Sequence, residues 1–548
     1  MPTISYSLEE LIKGLNRSFT NEELNELLEM CKCELKQIKG DEIIGEITPE
    51  RPDLFSTEGL IHFIKGILSI EKGPKRLVFI KENFKVKISE RLKQVRPYVV
   101  IATVRGVKLT NEALRRIINY QEILHESWCR SRKKASIGIY DLSKLKGDIY
   151  FELKNLDEIY FRPLEESKKM TGREIIERNE KGIKYRHLIM PNDAPVLIDS
   201  EGNYLSMAPI INSEDCKVNE KTTDILIDST GFDIDFINSI VALMVHSITY
   251  YGGKVGIVRH ELGNKIYYPN FSSKFYEFNI NDFSKVIGVD FSSDQLINFL
   301  ERLRYGVNRE AEKLIVEVPF YRVDVLHPID VIEDVAILYG YNNFKLSLPY
   351  LITKPKLSKK SIIHNSVREI FNGFGFQEIL NYMLCDVEVQ TFKVNINEST
   401  IGLIKILNPI SKEFSCIRAN LFPCLLSFLS RNIANPYPQK IYEIGDVIIN
   451  TGSQIKTINK LAGAVVDNEV EFEDIHGYLY AFFDSFNYTL SLQEAKLPYG
   501  LNGRSALLKI NNKNVGWVAE INPDVLLKFS IRMPTIMFEI DLSEVFNL

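Results

Sequence analysis

Four carboxylate side chains lie close together in one short stretch of the sequence. Asp330, Glu333 and Asp334 are spaced i, i+3 and i+4, so on a helix they share one face of the first turn. Asp324 precedes them at a predicted turn. Carboxylate oxygens are the ligands that Mg²⁺ prefers, and few are needed because the ion keeps several waters. The spacing therefore fits a site for a hard cation.

The same spacing also fits the capping of a helix. Acidic residues in a first turn accept from free backbone amides and complement the helix dipole. We expect Asp330 at the N-cap of a helix over residues 331–339, with Glu333 three residues later, as in a capping box. On spacing alone, a structural cap and a cation site both remain open.

A second set of polar residues lies beside apolar, β-branched runs that predict strands. Its members are Ser206, Asn212, Asp228 and Thr230. Locally this pattern is typical of turns and strand ends. We see no Ser-His-Asp or Cys-His arrangement in the sequence, so any hydrolysis at these residues would work by positioning a water.

The elements that must position these residues form several domains. The 548 residues are too many for one core and suggest roughly three to five domains of mixed α+β and α/β type. We predict domains at residues 1–85, 86–270, 271–345 and 358–548, with a linker at 346–357 that is rich in Pro and Lys. The third is a small α+β unit that is winged-helix-like in size and order.

Composition excludes some classes of protein. With 45% hydrophobic residues, 25% charged residues and a net charge of −5, no global positive field indicates nucleic-acid binding. Any contact with RNA would be local or shared with a partner. The seven cysteines are scattered and lack zinc spacing, which favours reduced thiols in the cytoplasm. We see no signal peptide and no membrane-spanning run, and therefore expect no membrane partner.

Two runs carry a resemblance to a known family. The first holds Pro319, Arg322, Asp324, Asp330, Glu333-Asp334-Val335-Ala336 and Tyr339-Gly340-Tyr341-Asn342. It resembles the signature of the β subunit of phenylalanyl-tRNA synthetase, in its archaeal/eukaryotic type. The second run, Arg51-Pro52-Asp53 with Ser56 and Gly59, is similar to one in the N-terminal domain of that subunit, although Glu50 replaces the usual Asn.

The resemblance implies a function and partners. With an α subunit, in an α2β2 heterotetramer, the chain would ligate L-phenylalanine to tRNA(Phe), and ATP and phenylalanine would bind through α. It also implies Mg²⁺ at the border with α, held by Asp324, Asp330, Glu333 and Asp334, which favours the cation site over the cap.

Residues 86–270 resemble the family's editing domain, which hydrolyses tyrosine misattached to tRNA(Phe). Such a step is needed because a pocket for Phe cannot strongly reject an isostere that adds a hydroxyl. The resemblance makes Ser206, Asn212, Asp228 and Thr230 the candidates for the editing pocket. Asp228 lies where the family usually has Glu, and no residue is identified as a general base.

Residues 358–548 resemble the catalytic-like domain of the β subunit, a class II synthetase antiparallel sheet without its own active site. A working class II site needs one arginine on a strand and a second after a Gly-rich run. Arg418 occupies a rough counterpart of the first, but no Gly-x-Gly-x-x-x-Arg run exists. We therefore predict no catalytic residue for aminoacylation on this chain.

Two alternatives accompany this interpretation. A free-standing editing hydrolase would need no α subunit, but it would have no use for the large C-terminal domain. A non-catalytic scaffold or RNA-binding protein on the same fold would be expected to have lost the carboxylate set, which is intact.

Overall fold

A computed structural model describes residues 2–311 and 313–548 of the chain. It contains two units, which meet in sequence between Ser347 and Leu348. The boundary falls inside the predicted linker, and the described residues 344–358 form no helix or strand.

The first unit has eighteen strands and ten α-helices. The strands are β1 (Thr3–Ser7), β2 (Cys33–Lys39), β3 (Glu42–Ile47), β4 (Phe79–Ile88), β5 (Tyr98–Arg105), β6 (Ala135–Asp141), β7 (Ile149–Asn155), β8 (Tyr160–Phe161), β9 (Met170–Thr171), β10 (Asp193–Asp199), β11 (Tyr204–Met207), β12 (Ile211–Asn212), β13 (Asp224–Gly231), β14 (Lys254–Leu262), β15 (Lys265–Tyr267), β16 (Lys274–Asn279), β17 (Gly306–Glu310) and β18 (Lys313–Val318). The helices are α1 (Leu8–Leu15), α2 (Asn21–Met30), α3 (Thr57–Ile67), α4 (Asn111–Glu126), α5 (Gly172–Arg178), α6 (Glu180–Tyr185), α7 (Ile234–Ile248), α8 (Ile280–Ile287), α9 (Ser293–Arg302) and α10 (Pro328–Tyr339). These counts cover the described residues only.

A ten-stranded sheet dominates this unit. Its strand order is β12-β11-β10-β7-β4-β14-β5-β13-β6, and β15 pairs with β14. Only β4 pairs in parallel, with β7 and β14. The predicted boundary at residue 85 falls inside β4, which belongs to this sheet along its whole length.

Strand alternation separates the two faces of the sheet. On β13, Ile225 and Ile227 belong to the core shared with α4 and α7, whereas Leu226 belongs to a second core on the opposite face. Since side chains alternate, Asp228 and Thr230 face the same side as Leu226. The strand thus places two polar groups beside an apolar core.

Two smaller sheets share the core of α7. Strands β1, β3 and β2 form one sheet beside α1 to α3, and β16, β18 and β17 form the other beside α8 to α10. One continuous cluster of buried side chains extends from Ile4 to Leu338. The three domains predicted in this half are therefore packed as one body.

One prediction about α10 is wrong. The helix begins at Pro328, and its N-cap is His327 rather than Asp330. Proline suits the first helical position because its missing N–H has no partner there in any case. Asp330 is the third helical residue, and its carboxylate accepts from the backbone N–H groups of Leu326 and His327, each at 2.8 Å.

By length and mean hydropathy, one segment of the described chain, Ile234–Tyr251, is able to cross a membrane. It consists of α7 and the turn that follows. The residues Ile240, Leu243, Met244 and Ile248 are buried in the core of the first unit. The segment is therefore a core helix that packs on the sheet.

The second unit is built on a seven-stranded sheet of order β19-β23-β24-β28-β27-β26-β25, beside a small sheet of order β20-β22-β21. Its strands are β19 (Gln377–Glu378), β20 (Leu384–Cys385), β21 (Ile404–Lys405), β22 (Cys416–Ile417), β23 (Gln439–Asn450), β24 (Ile455–Val466), β25 (Leu490–Glu494), β26 (Gly500–Ile510), β27 (Lys513–Ile521) and β28 (Thr535–Asp541). Its helices are α11 (Lys359–Gly373), α12 (Val387–Gln390), α13 (Glu398–Ile401), α14 (Phe422–Arg431), α15 (Phe472–Asp484), α16 (Pro523–Lys528) and α17 (Leu542–Phe546). All neighbours in the large sheet are antiparallel except β19 and β23. Separate cores cover its two faces.

Candidate functional sites

The buried carboxylates of the first site are paired with arginine. Arg322 donates to Asp324 at 2.8 and 2.9 Å and to Asp334 at 2.6 Å. The hydroxyl of Tyr305 also donates to Asp334, at 2.7 Å. Burial opposes ionisation of Asp324, but Arg322 beside it holds its pKa below the ordinary value. Buried charges of this kind are tolerated because each has an opposite charge and further hydrogen bonds.

The network continues into the N-terminal motif. Arg51 donates to Asp53 at 2.8 and 3.0 Å, and its Nε lies 3.8 Å from Oδ2 of Asp324. The side chain of Arg51 is 1% exposed, and its guanidinium lies 4.5 Å from the ring centroid of Phe63. The two runs that carry the resemblance therefore meet in one buried network of two arginines and three aspartates.

The other two predicted metal ligands lie outside this network. Glu333 is exposed and lies 3.0 Å from the ammonium of Lys32. Asp330 is engaged by the two backbone amides before the helix. Each carboxylate of the set thus has a positively charged or N–H partner, and Asp324 and Asp334 share Arg322.

As arranged in this chain, the four carboxylates do not form one Mg²⁺ site. A site built from all four would need their oxygen atoms to converge on one point, although the ion itself needs only one or two carboxylates because it keeps its waters. Within residues 2–311 and 313–548, no three His, Cys, Asp or Glu side chains are grouped so as to hold a metal ion. Asp324 and Asp334 converge on Arg322 instead. Arg322 is close in sequence, but local spacing could not show the whole arrangement, because the other partners Tyr305, Lys32 and Arg51 come from distant parts of the sequence.

Three of the four predicted editing residues surround one tyrosine. The hydroxyl of Tyr140, on β6, donates to Asp228 at 2.6 Å and lies 3.5 Å from Oδ1 of Asn212. Burial, and then Asp228, raise the pKa of the Tyr140 phenol well above its ordinary value, while a hydrogen bond with Ser206 opposes this shift. Because β6 and β12 are opposite edges of the sheet, these contacts require the sheet to curl back on itself.

Asp228 is buried with few polar partners. Burial raises its pKa to about 7, although the hydrogen bond from Tyr140 and the charge of Arg96 act in the opposite direction. Gly138 lies opposite Asp228 on β6. A Cβ atom at this glycine would come within 2.0 Å of the Tyr140 hydroxyl oxygen and 2.1 Å of Asp228 Oδ1. Gly138 therefore makes room for the bond between Tyr140 and Asp228.

Thr230 belongs to a neighbouring group. Arg96 donates to its hydroxyl and to its carbonyl, both at 2.7 Å, and Ser136 lies 2.8 Å from the same hydroxyl. Burial lowers the pKa of Arg96 to about 10. Sequence reasoning missed Tyr140, Gly138, Arg96 and Ser136. A signal for three of them was available in the sequence, since Ser136, Gly138 and Tyr140 alternate with Ile137 and Ile139, a pattern typical of a strand.

Of the four predicted editing residues, Asn212 alone lines a neighbouring cavity of about 180 Å³. Asn212 and Ser213 line one wall, and Ile137 and Ile139 of β6 line another. Arg132 also lines it and donates to the carbonyl of Ile210 at 2.9 Å, which ties the segment after α4 to the start of β12. Asn212 is thus the predicted residue that reaches both the cavity and Tyr140.

Arg418 of the second unit is buried and bonded to groups inside the protein. It is buried, donates to Glu443 at 2.5 Å and donates through Nε to the carbonyl of Asp446 at 3.0 Å. The backbone of Gly445 lies against the guanidinium, because a Cβ at this position would come within 2.3 Å of it. Its hydrogen-bonding groups therefore serve the fold.

Family models match three parts of the chain. Residues 96–243 match the B3/4 domain, residues 276–341 the tRNA synthetase B5 domain, and residues 346–542 the phenylalanyl tRNA synthetase beta chain CLM domain. The chain is therefore a multidomain protein of mixed α/β type.

Relatives match along the whole length. The phenylalanine–tRNA ligase beta subunit of Methanocaldococcus jannaschii is 36% identical over 551 residues, covering 99% of this chain and 100% of the relative. The same subunit of Korarchaeum cryptofilum is 35% identical, covering 99% and 98%. A crystal structure of an N-terminal fragment of the phenylalanyl-tRNA synthetase beta subunit from Pyrococcus horikoshii matches 62% of this chain and 100% of that fragment, with a TM-score of 0.60 and 35% identity.

Proposed function

This chain belongs to the family of phenylalanine–tRNA ligase β subunits, as its two motifs indicated, and we propose that with an α subunit it ligates L-phenylalanine to tRNA(Phe) at the expense of ATP. The match to relatives over 99% of the chain carries this proposal. The meeting of both family motifs in one buried network supports it.

The adenylate chemistry belongs to the α subunit. A class II site would need its first arginine free to bind the α-phosphate of ATP. Arg418 is instead buried against Glu443, and releasing it would leave a buried carboxylate without its partner. The antiparallel sheet of the second unit is therefore a class II synthetase-like scaffold without its own active site.

Editing of tyrosyl-tRNA(Phe) takes place at the ten-stranded sheet of the first unit. A site that selects tyrosine must offer hydrogen bonds to the phenol, because phenylalanine then leaves these groups unpaired. Asn212 reaches the cavity and is the residue that meets the substrate. Asp228 does not line the cavity, and it acts through the hydrogen bond that it accepts from Tyr140. Ser206 and Thr230 position their neighbours in the same way.

The α subunit covers apolar surface on the second unit. Leu380, Tyr382, Leu407 and Ile410 flank the small sheet, and their side chains are from 79% to 100% exposed. Large apolar side chains grouped at a surface are typical of obligate interfaces. This supports a contact with an α subunit, in the α2β2 assembly that the resemblance implies. We place the assembly in the cytoplasm, where the seven free cysteines would stay reduced.

Magnesium remains a prediction of the resemblance. Glu333 reaches solvent, and Asp330 is half-buried at the helix start, so these two are the ligands a partner chain would complete. Asp324 and Asp334 contribute to folding through Arg322. No step of the reaction is assigned to the ion.

Co-expression with the α subunit from the same genome tests the function. We expect a stable complex that aminoacylates tRNA(Phe) with phenylalanine, whereas each chain alone does not. Aminoacylation by this chain alone, or failure of the complex to charge tRNA(Phe), would refute the proposal.

A further inference from the structure

A cavity of about 520 Å³ lies in the first unit, where residues of the three predicted domains 1–85, 86–270 and 271–345 meet. We call it the basic pocket, and its principal side chains are His62, Lys65, Lys72, Lys75, His246 and Arg304. They come from α3, the loop that follows it, α7, and the turn between α9 and β17. The helix α3 lies tightly against this turn, since a Cβ at Gly66 would meet the carbonyl oxygen of Arg302 at 2.1 Å.

The pocket carries more positive than negative charge. Lys65 and Arg304 share a single carboxylate, Glu71, at 2.7 and 3.4 Å. Two further charged side chains at its wall, Glu58 and Arg76, are paired with residues outside the pocket. Glu58 is bound to Arg116, and Arg76 to Glu317.

Two ammonium groups in the pocket have neutral partners. Lys75 donates to the hydroxyl of Thr249 at 2.9 Å and to the carbonyl of His246 at 3.2 Å. Lys72 donates to the side-chain carbonyl of Asn298 at 2.6 Å. Among the residues that the structure describes, neither lysine forms an ion pair with a carboxylate. Four basic side chains, those of Lys65, Lys72, Lys75 and Arg304, therefore face one carboxylate.

The imidazoles beneath these groups are neutral. His62 lies 2.9 Å from the hydroxyl of Tyr321, and the ring of His246 stacks on Tyr321 with centroids 3.8 Å apart. Burial, followed by the charge of Arg304, lowers the pKa of His62 well below its ordinary value. The pKa of His246 is lowered in the same direction by burial and by His62. The positive charge of the pocket therefore comes from lysine and arginine.

We propose that the basic pocket binds a phosphate-bearing anion, either a small phosphate such as pyrophosphate or a phosphate group of an RNA backbone. The lysine and arginine side chains of the pocket supply both the charge and the hydrogen-bond donors that such oxygens require. The volume exceeds that of one phosphate and lies in the range of ligand sites. The inference does not depend on aminoacylation or editing by this chain.

The pocket also predicts how binding depends on pH. Burial, then the charges of Arg304 and Lys65, lower the pKa of Lys75 to about 7, and Glu71 opposes this shift. Lys72 and the neutral rings of His62 and His246 complete its surroundings. A bound anion favours the charged lysine, so binding takes up a proton. The affinity contributed by Lys75 is greatest below pH 7 and is lost as the pH rises through this value.

Calorimetry on the purified full-length chain tests the proposal, with pyrophosphate and a short single-stranded RNA as separate probes. We expect at least one probe to saturate, and Lys75→Met and Lys72→Gln each to weaken it about tenfold. Lys144→Gln, at an exposed lysine outside the pocket, is the control and should bind as wild type. The ratio of wild-type to Lys75→Met affinity should approach one at high pH.

The two sources are distinguished by the probe that saturates. Saturation by pyrophosphate identifies a small anion, and saturation by RNA alone, with a steep dependence on salt, identifies the backbone. The proposal is overturned if neither probe saturates at low salt, or if both pocket variants bind as tightly as the Lys144→Gln control. Circular dichroism of each variant shows that a lost affinity is not lost folding.

Discussion

The Nε atom of Arg51 lies 3.8 Å from Oδ2 of Asp324, although these residues come from opposite ends of the first unit. Through this contact, the pair Arg51 and Asp53 joins the pair Arg322 and Asp324 in the interior. Both motifs of the family thus serve one buried charge network. Removing one member would leave an uncompensated charge in the interior.

Replacing Asp324 with asparagine should destabilise the protein by about 3 kcal/mol, because it leaves two buried arginines with too few carboxylates. Urea denaturation measures this loss, with Asp290→Asn at an exposed position as the control. Since the pKa of Asp324 is lowered in the folded state, its contribution is present at neutral pH and is lost as the pH falls below about 4. If EDTA destabilised the wild type as much as this substitution does, a metal role for Asp324 would be favoured instead.

The stability that Asp228 contributes should depend on pH with the opposite sign to that of Asp324. Its pKa is raised to about 7 in the folded state, so the folded protein binds a proton that the unfolded chain does not. The stabilisation is complete below about pH 4 and is lost as the pH rises to 7, by about 1.4 kcal/mol per pH unit. Denaturation of wild type and Asp228→Asn across this range measures it. Parallel curves would show that Asp228 is ionised throughout.

Gly138→Ala should cost about 1 to 3 kcal/mol, because the new methyl group overlaps both Tyr140 and Asp228. Gly477→Ala is the matched control, since Gly477 lies in α15 with nothing within 4 Å of a Cβ atom. The control should gain roughly 0.5 to 1 kcal/mol from improved helix propensity. Thermal unfolding compares the two. Equal stability of both variants would show that β6 leaves more space at Gly138 than the contacts indicate.

Arg418→Lys should lower stability while the rate of phenylalanylation per folded complex stays within about twofold of wild type. Lysine cannot reproduce the bonds of Arg418 to Glu443 and to the carbonyl of Asp446. Adenylate formation by pyrophosphate exchange, normalised to folded α–β complex, measures the rate. A large fall in exchange without a fall in stability would assign Arg418 to ATP.

Much of this arrangement could be predicted from the sequence. The strand around Asp228 and the helix after Asp324 follow from alternation and spacing, and the family follows from two motifs. The partners of the carboxylates could not be predicted. Arg322 binds Asp324 and Asp334, and Lys32 binds Glu333, in place of a cation, and these contacts form only in the folded chain. The start of α10 was misplaced because Pro328 was not considered as the first helical residue. Tyr140 was missed although it lies two residues from Gly138 on the face that also carries Ser136.

The measurement that tests the central claim most directly is deacylation of tyrosyl-tRNA(Phe) by the purified α–β complex, with phenylalanylation measured in parallel. We predict that the wild-type complex hydrolyses the tyrosyl ester. Asn212→Ala should slow this hydrolysis about tenfold or more, since it removes the polar group that reaches the cavity, and should leave phenylalanylation intact. A wild-type complex that charges tRNA(Phe) but does not release tyrosine would contradict the account. The ten-stranded sheet would then be a structural or RNA-binding surface.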